Sequence, residues 1–465
     1  MIFYSPEFLI FFCCLLLGLG VLRSNGPRKA LLLAASYYFY AYWDWRFLGL
    51  IMVSTAVDFF IGKALGRTDD PARRKGLLGV SLAVNLGLLG FFKYYNFFID
   101  SLRPIIEGLG WNAVTLDILL PVGISFYTFQ TLSYTIDVYR RELEPQENPV
   151  DFALFVAFFP QLVAGPIVRA AHFLPQLTGY KPLTRANFYM GFQIFIYGMF
   201  KKVFIADRLA IFSDHVFANA GAYDAATTWM AAAAFHTQVY FDFSGYSDMA
   251  IGAACVLGYD LGTNFNFPFF ARSINEFWSR WHLSLSTWVR DYIYFPLGGS
   301  RKGRIRGYVN SFLAMVLCGL WHGATWNCVI WGGMHGLGTV ANSAWRHLGL
   351  GGGASRIAKF ASWAATLAFV AGVTVFLRSQ NLHQAGLMFR QMFVPEPGLT
   401  WLNPFVLFVW AAMIPVYWLE ATGRWKRIFV PERARWFSPA LLFCLIWLVV
   451  VFYPTGFQPF FYFQF

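Results

Sequence analysis

The stretch LCGLWHGATWNCVIWGGMHG, residues 317–336, sets one imidazole, His322, beside Trp321 and Gly323 at the turn of an otherwise apolar hairpin. Apolar segments at 309–321 and 324–342 form its arms, with Arg301, Lys302, Arg304 and Arg306 before them and Arg346 after them. Two helices with both ends on one positively charged side of a membrane fit that pattern. From Arg306 to His322 is 16 residues, which at 1.5 Å per residue is about 24 Å of a hydrocarbon core about 30 Å thick. His322 is therefore expected deep in the bilayer, nearer its outer side. An ionisable side chain there is costly and usually functional. Apolar surroundings favour the neutral imidazole, the form that takes up a proton.

The rest of the chain points to the same solvent. Of its 465 residues, 57% are hydrophobic and only 13% charged, against about a quarter charged in soluble domains. Repeated apolar runs joined by short basic connections imply one continuous bundle, a single integral membrane domain over 1–465 with no soluble domain. The net charge of +12 sits in clusters beside apolar segments, where Lys and Arg set orientation and attract anionic lipid headgroups rather than nucleic acid. The six Cys lie in apolar stretches without CxxC spacing and read as packing residues.

Spans are expected near 7–22, 30–45, 47–65, 76–97 and 119–139, then at 309–321, 324–342, 360–378, 403–420 and 437–453. Basic flanks follow the first span (Arg23, Arg28, Lys29), the third (Lys63, Arg67, Arg73, Arg74, Lys75) and the fifth (Arg140, Arg141), and recur at 424–435. The positive-inside rule makes those loops cytoplasmic and puts both termini outside. With no basic residue before it and no cleavage site after it, the first segment is expected to stay as a membrane helix. Between 150 and 300, Pro160, Pro166, Pro175, Pro268 and Pro296 interrupt the pattern. Re-entrant or tilted helices around an internal chamber are expected there.

Further motifs carry polar groups. HTQVYFDFSGYSDMAIG at 236–252 holds Asp242 and Asp248, which need partners in an apolar run. Six residues apart, they do not share a helix face, and no HExxH or Cys/His cluster accompanies them, so pairing with Arg is expected and a metal is not. NFNFPFFARSINEFWSRWHLSLSTWVRDYIYFPLGGSRKG at 264–303 surrounds His282 with an apolar face of Trp278, Trp281, Leu285 and Trp288 and with the polar Arg280, Ser284, Ser286 and Asp291. An amphipathic interfacial helix is its plainer interpretation, a second site histidine its sharper one. His335, in the helix after His322, serves packing or function. Gln130 and Asp137 in LLPVGISFYTFQTLSYTIDVYR, and Gln161 and Arg169 in FFPQLVAGPIVR, suit the lining of a polar passage, with packing as the alternative. No Walker loop, dinucleotide-binding glycine motif, GxSxG elbow or haem CxxCH occurs, which argues against ATP-driven transport and covalent serine hydrolysis.

Taken together, LPVGISFYTFQTLSY, FFPQLVAGPIVR, DFSGYSDMAIG, NFNFPF with RWHLSLSTWVRDYIYFPLGGSR, GLWHGATW and the terminal FYFQF span most of the chain. They resemble the membrane-bound O-acyltransferases, in the branch serving alginate, cellulose and peptidoglycan O-acetylation. The resemblance implies an all-α polytopic fold of roughly a dozen transmembrane and re-entrant helices around a central tunnel. It matches His322 to the family's essential histidine and His282 to its second conserved one, with Trp321, Asp242, Asp248, Gln130, Gln161, Arg280, Asp291 and His335 as tunnel candidates. It further implies acetyl-CoA as a cytoplasmic co-substrate with no permanently bound cofactor. The acyl group would pass to an extracytoplasmic polysaccharide through a periplasmic acyltransferase, from a bacterial inner membrane. A secondary transporter or flippase is the alternative from another class; inverted repeats would mark it, and none is evident.

Overall fold

Short polar residues set where the helices begin. Ser5 accepts a bond from Phe8 N ahead of Pro6, Asp70 accepts from Ala72 N and Arg73 N ahead of Pro71, and Asn148 accepts from Val150 N ahead of Pro149. Each satisfies backbone N–H groups that the first helical turn leaves open, while proline at the first position loses no bond. The structure, a computed structural model, describes residues 1–350, 355–422, 439–454 and 460. The basic loop at 423–435, residues 351–354, the start of the 437–453 span and residues 455–459 and 461–465 of the C-terminal tail lie outside the described residues.

The described residues are helical, with no β-strand beyond an isolated bridge between Tyr223 and Leu399. The chain divides into two compact units, Met1–Phe195 with Met249–Gly262, and Ile196–Asp248 with Thr263–Phe465. Among the described residues three helices, Trp45–Gly66, Pro71–Gly108 and Arg356–Arg378, have the length and composition to cross a bilayer, and shorter apolar helices occupy Pro6–Val21, Pro404–Val416 and Pro439–Val451. The chain is an all-α polytopic membrane protein.

In the first unit, helices Pro6–Val21, Asn25–Ala41, Leu48–Gly66 and Ile124–Arg140 follow the expected spans. The fourth span runs on through a π-helical segment, Gly90–Tyr94, to Gly108, and the fifth begins only at Ile124, after Gly123 at φ 77°. A Cβ at Gly123 would come 2.7 Å from Leu162 O, so both the left-handed backbone and the close approach call for glycine there. Some of the flanking cations turn inward. Arg74 is buried and donates to the carbonyls of Thr68, Val138 and Tyr139 at 3.0, 3.1 and 2.8 Å, closing the C-terminal ends of two helices. Arg28 likewise caps Leu19 and Lys181 carbonyls, and Lys29 pairs with Asp151 at 2.5 Å. These three residues therefore fasten helix ends, where the sequence suggested lipid contact. At the centre of this unit, Asp58 accepts bonds from Ser81, Asn85 and Thr135.

The second unit corrects the expectation for the middle of the chain. Rather than being interrupted throughout, it contains the 33-residue helix Ala225–Leu257, which continues into the first unit. At 1.5 Å per residue it is about 50 Å long, more than a hydrocarbon core. The expected irregularity is met on either side of it: in the short helices Phe159–Leu162, Ala170–Phe173, Ile274–Trp278 and Leu283–Val289, and in π-helical segments at Lys201–Ala206 and Arg290–Tyr294. The hairpin of Arg304–His322 and Trp326–His347 lies where the apolar pattern places it.

Candidate active site

His322 is the last residue of its helix, and the chain reverses through Gly323 into a helix capped by Thr325, whose hydroxyl accepts from Cys328 N at 3.2 Å. The arms cross closely because Gly319 and Gly332 face each other without side chains: a Cβ on Gly332 would come 2.9 Å from Gly319 Cα. That approach brings Trp331 against His322, ring centroids 5.0 Å apart and nearly perpendicular, while Trp321 flanks the imidazole from its own helix. His322 is 5% exposed.

His282 reaches the same aromatic cluster from another segment. It precedes the helix Leu283–Val289 with a left-handed backbone, φ 44° and ψ 57°. A non-glycine residue held there costs of order 1 kcal/mol or more, and such strain concentrates at functional sites. The bend is held by backbone bonds from Leu283 N to Asn264 O and from Asn266 N to Arg280 O, both 2.8 Å. His282 is fully buried, its Nδ1 3.1 Å from Asn264 Oδ1. A carbonyl oxygen only accepts, so Nδ1 carries the proton and Nε2 presents its lone pair. Asn264 Oδ1 also accepts from Ser284 Oγ at 2.9 Å, and Asn264 Nδ2 donates to Ser247 at 3.0 Å. Phe243 stands edge-on to His282 at 4.7 Å and Trp321 lies 6.1 Å away. Trp321 thus borders both histidines.

The other candidates divide. His335 is buried and packs on Trp331 at 4.7 Å, one ring beyond His322. Asp242 and Asp248 form ion pairs in the second unit, but with lysines rather than the expected arginines. Lys202 lies 2.6 Å from Asp242 and 2.9 Å from Asp207, and Lys201 lies 2.6 Å from Asp248. Arg280 binds Glu276 at 3.0 Å, and Asp291 binds Arg290 at 2.7 Å. Gln130 and Gln161 belong to the first unit and are fully buried. Among the described residues, Gln161 Nε2 donates to Phe155 O at 2.6 Å, and neither amide atom of Gln130 has a protein partner. No group of three or more His, Cys, Asp or Glu side chains among the described residues is arranged to hold a metal ion. Sequence reasoning missed Asn264 and Trp331, although both lie inside the quoted motifs.

A buried imidazole beside a second, oriented one suits proton transfer on a substrate hydroxyl. The model of the membrane-bound O-acyltransferase family matches residues 140–349, which contain His282, His322 and Asn264. The probable alginate O-acetylase AlgI of Pseudomonas putida is 45% identical over 399 residues, covering 84% of this chain and 80% of its own. The peptidoglycan O-acetyltransferase of Helicobacter pylori is 35% identical over 423 residues, covering 83% and 78%. The teichoic acid D-alanyltransferase of Bacillus subtilis is 30% identical over 235 residues, covering 46% and 56%. Identity of 45% and 35% over more than four fifths of the chain means that the chain belongs to the membrane-bound O-acyltransferase family.

Proposed function

We propose that this O-acyltransferase, acting as one enzyme over 1–465, takes an acetyl group from cytoplasmic acetyl-CoA. It delivers the group to an extracytoplasmic polysaccharide by way of a periplasmic acyltransferase, across a bacterial inner membrane. The relatives named for alginate, peptidoglycan and teichoic acid support a cell-envelope polymer as the final acceptor. The observation that carries the chemistry is the burial of His322 and His282 around one shared ring, Trp321.

In this proposal His322 is the general base. An acceptor hydroxyl loses its proton to the imidazole as its oxygen bonds to the thioester carbonyl carbon; the C–S bond then breaks, and the proton passes to the departing thiolate. Because a thioester is already activated, no Ser or Cys nucleophile is required. His282, fixed by Asn264, orients the acceptor. The exposed Arg301, Lys302, Arg304 and Arg306 at the foot of the hairpin attract the phosphates of the donor.

The test is acetyl transfer from labelled acetyl-CoA by the purified full-length protein in lipid nanodiscs. His322→Ala and His322→Gln are each expected to lose about 10²–10⁴-fold in rate while eluting as folded protein. Glutamine hydrogen-bonds but takes up no proton at neutral pH, so substantial turnover in His322→Gln would reduce this residue to a positioning role.

A further inference from the structure

Beyond Trp331, away from the proposed base, two more buried histidines are constrained by their neighbours. His335 is 1% exposed and His236, on the long helix, 4%. Trp278 Nε1 lies 3.3 Å from His335 Nδ1. An indole N–H only donates, so Nδ1 of His335 is the acceptor and its ring proton sits on Nε2. His236 has the opposite tautomer. Its Nδ1 lies 3.3 Å from Thr374 Oγ1, whose single hydrogen is committed to Val370 O at 2.6 Å, so His236 Nδ1 donates and Nε2 is a bare acceptor.

Neither Nε2 has a protein hydrogen-bond partner among the described residues. Both imidazoles border the Phe277 ring, at 5.9 Å for His236 and 6.3 Å for His335, and they lie within electrostatic reach of each other. Trp331 Nε1, also buried and without a protein partner among the described residues, belongs to a ring that contacts both His335 and His322. Buried polar groups are almost always satisfied, and each one left open is destabilising. One donor and one acceptor of complementary sense, both open and bordering the same Phe277 ring, match a single group that can accept and donate at once.

We infer that His236 and His335 form one binding niche for a hydroxyl group, which accepts from His335 Nε2–H and donates to His236 Nε2. The hydroxyl belongs either to a bound water or to a substrate, and His335, which holds it, shares the Trp331 ring with His322. The niche does not depend on His322 being the base.

A double-mutant cycle on the full-length protein in detergent tests it, with His335→Phe and His236→Phe keeping ring volume and stacking. Two readouts are followed, the unfolding midpoint without ligand and the turnover of acetyl-CoA. If the hydroxyl is a water, each single variant lowers the midpoint by about 2–4 °C, and the double variant loses no more than one single. If it is a substrate hydroxyl, the midpoint holds, while each single variant weakens turnover about tenfold and the double variant again adds nothing. Effects that add in both readouts mean two independent histidines and overturn the niche. Should a Phe variant fail to fold, His335→Gln and His236→Gln, which retain a donor and an acceptor, are expected to keep most of both readouts; damage as large as that from Phe would likewise overturn it. Loss of all wild-type turnover would refute the acyltransfer proposal and leave the unfolding cycle to decide the niche.

Discussion

Gly319 and Gly332 touch across the hairpin that turns at His322, each occupying the space where the other would carry a side chain. A Cβ on Gly332 would also press on Met315 O, and one on Gly319 on Cys328 O. Both obstacles are backbone and cannot swing aside. Gly332→Val is therefore expected to spread the arms, at about 1–3 kcal/mol of overpacking, and to draw Trp331 off His322. Thermal unfolding in nanodiscs should show the lowered midpoint and acetyl-CoA turnover the lost activity. Wild-type values for both would mean that the arms do not cross this closely.

Asn264 is expected to matter out of proportion to its size. Its Oδ1 fixes the His282 tautomer and also accepts from Ser284. Asn264→Leu removes that acceptor and should lower kcat about tenfold or more while changing KM for acetyl-CoA little. Asn264→Asp, which keeps an acceptor, should fall between Leu and wild type. Equal losses in the two variants would assign Asn264 to packing alone.

Lys202 serves two carboxylates, Asp242 and Asp207, in a buried cluster. Lys202→Met takes away the ammonium and leaves both acids, which should cost about 3–5 kcal/mol. Adding Asp242→Asn and Asp207→Asn removes the excess charge and should recover most of that loss. Recovery is the informative outcome, because simple additivity would mean that the charges do not interact.

What the sequence revealed followed the cost of polar groups in lipid. His322 stood out because a lone imidazole in an apolar run is expensive, and the hairpin because cations mark both its feet. Asn264 did not, since a short amide between Thr263 and Phe265 looks like a turn until its bonds to His282 and Ser247 are seen. The lysine partners of Asp242 and Asp248 were hidden for a related reason. Lys202 and Asp242 are separated by 39 intervening residues, and the π-helical turn Lys201–Ala206 that aims two consecutive lysines inward has no period to detect. Arg28 and Arg74 misled because positive charge beside a span signals orientation whether the side chain faces lipid or closes a neighbouring helix.

Orientation itself can be checked at the loop after the third span. Arg67 and Arg73 border a surface recess with Phe60, Lys63, Ala64 and Thr68. A single cysteine at Asp69, which is exposed, in a background without the native thiols should react with a membrane-impermeant maleimide only after the membrane is opened. Labelling of intact cells would reverse the topology and put the foot of the His322 hairpin outside.

The last described residue of the tail, Phe460, is 1% exposed. Its ring meets Tyr246 edge-on at 4.5 Å and lies 4.8 Å from Lys202 Nζ. Tyr246 is on the long helix and Lys202 on the π-helical turn, so one side chain ties the end of the chain to the ion cluster. Two contributions can be separated by substitution. Phe460→Leu keeps an apolar side chain but no π face, and should lose the cation–π attraction, about 2 kcal/mol when desolvated. Phe460→Ala loses the packing as well and should approach the 3–5 kcal/mol typical of a buried Phe→Ala change. Removing residues 460–465 should cost no more stability than Phe460→Ala if this ring is the anchor. An unfolding midpoint unchanged in Phe460→Ala would mean that the ring is not docked on Tyr246 and Lys202, and a deletion much more harmful than Phe460→Ala would place the anchor further along the tail.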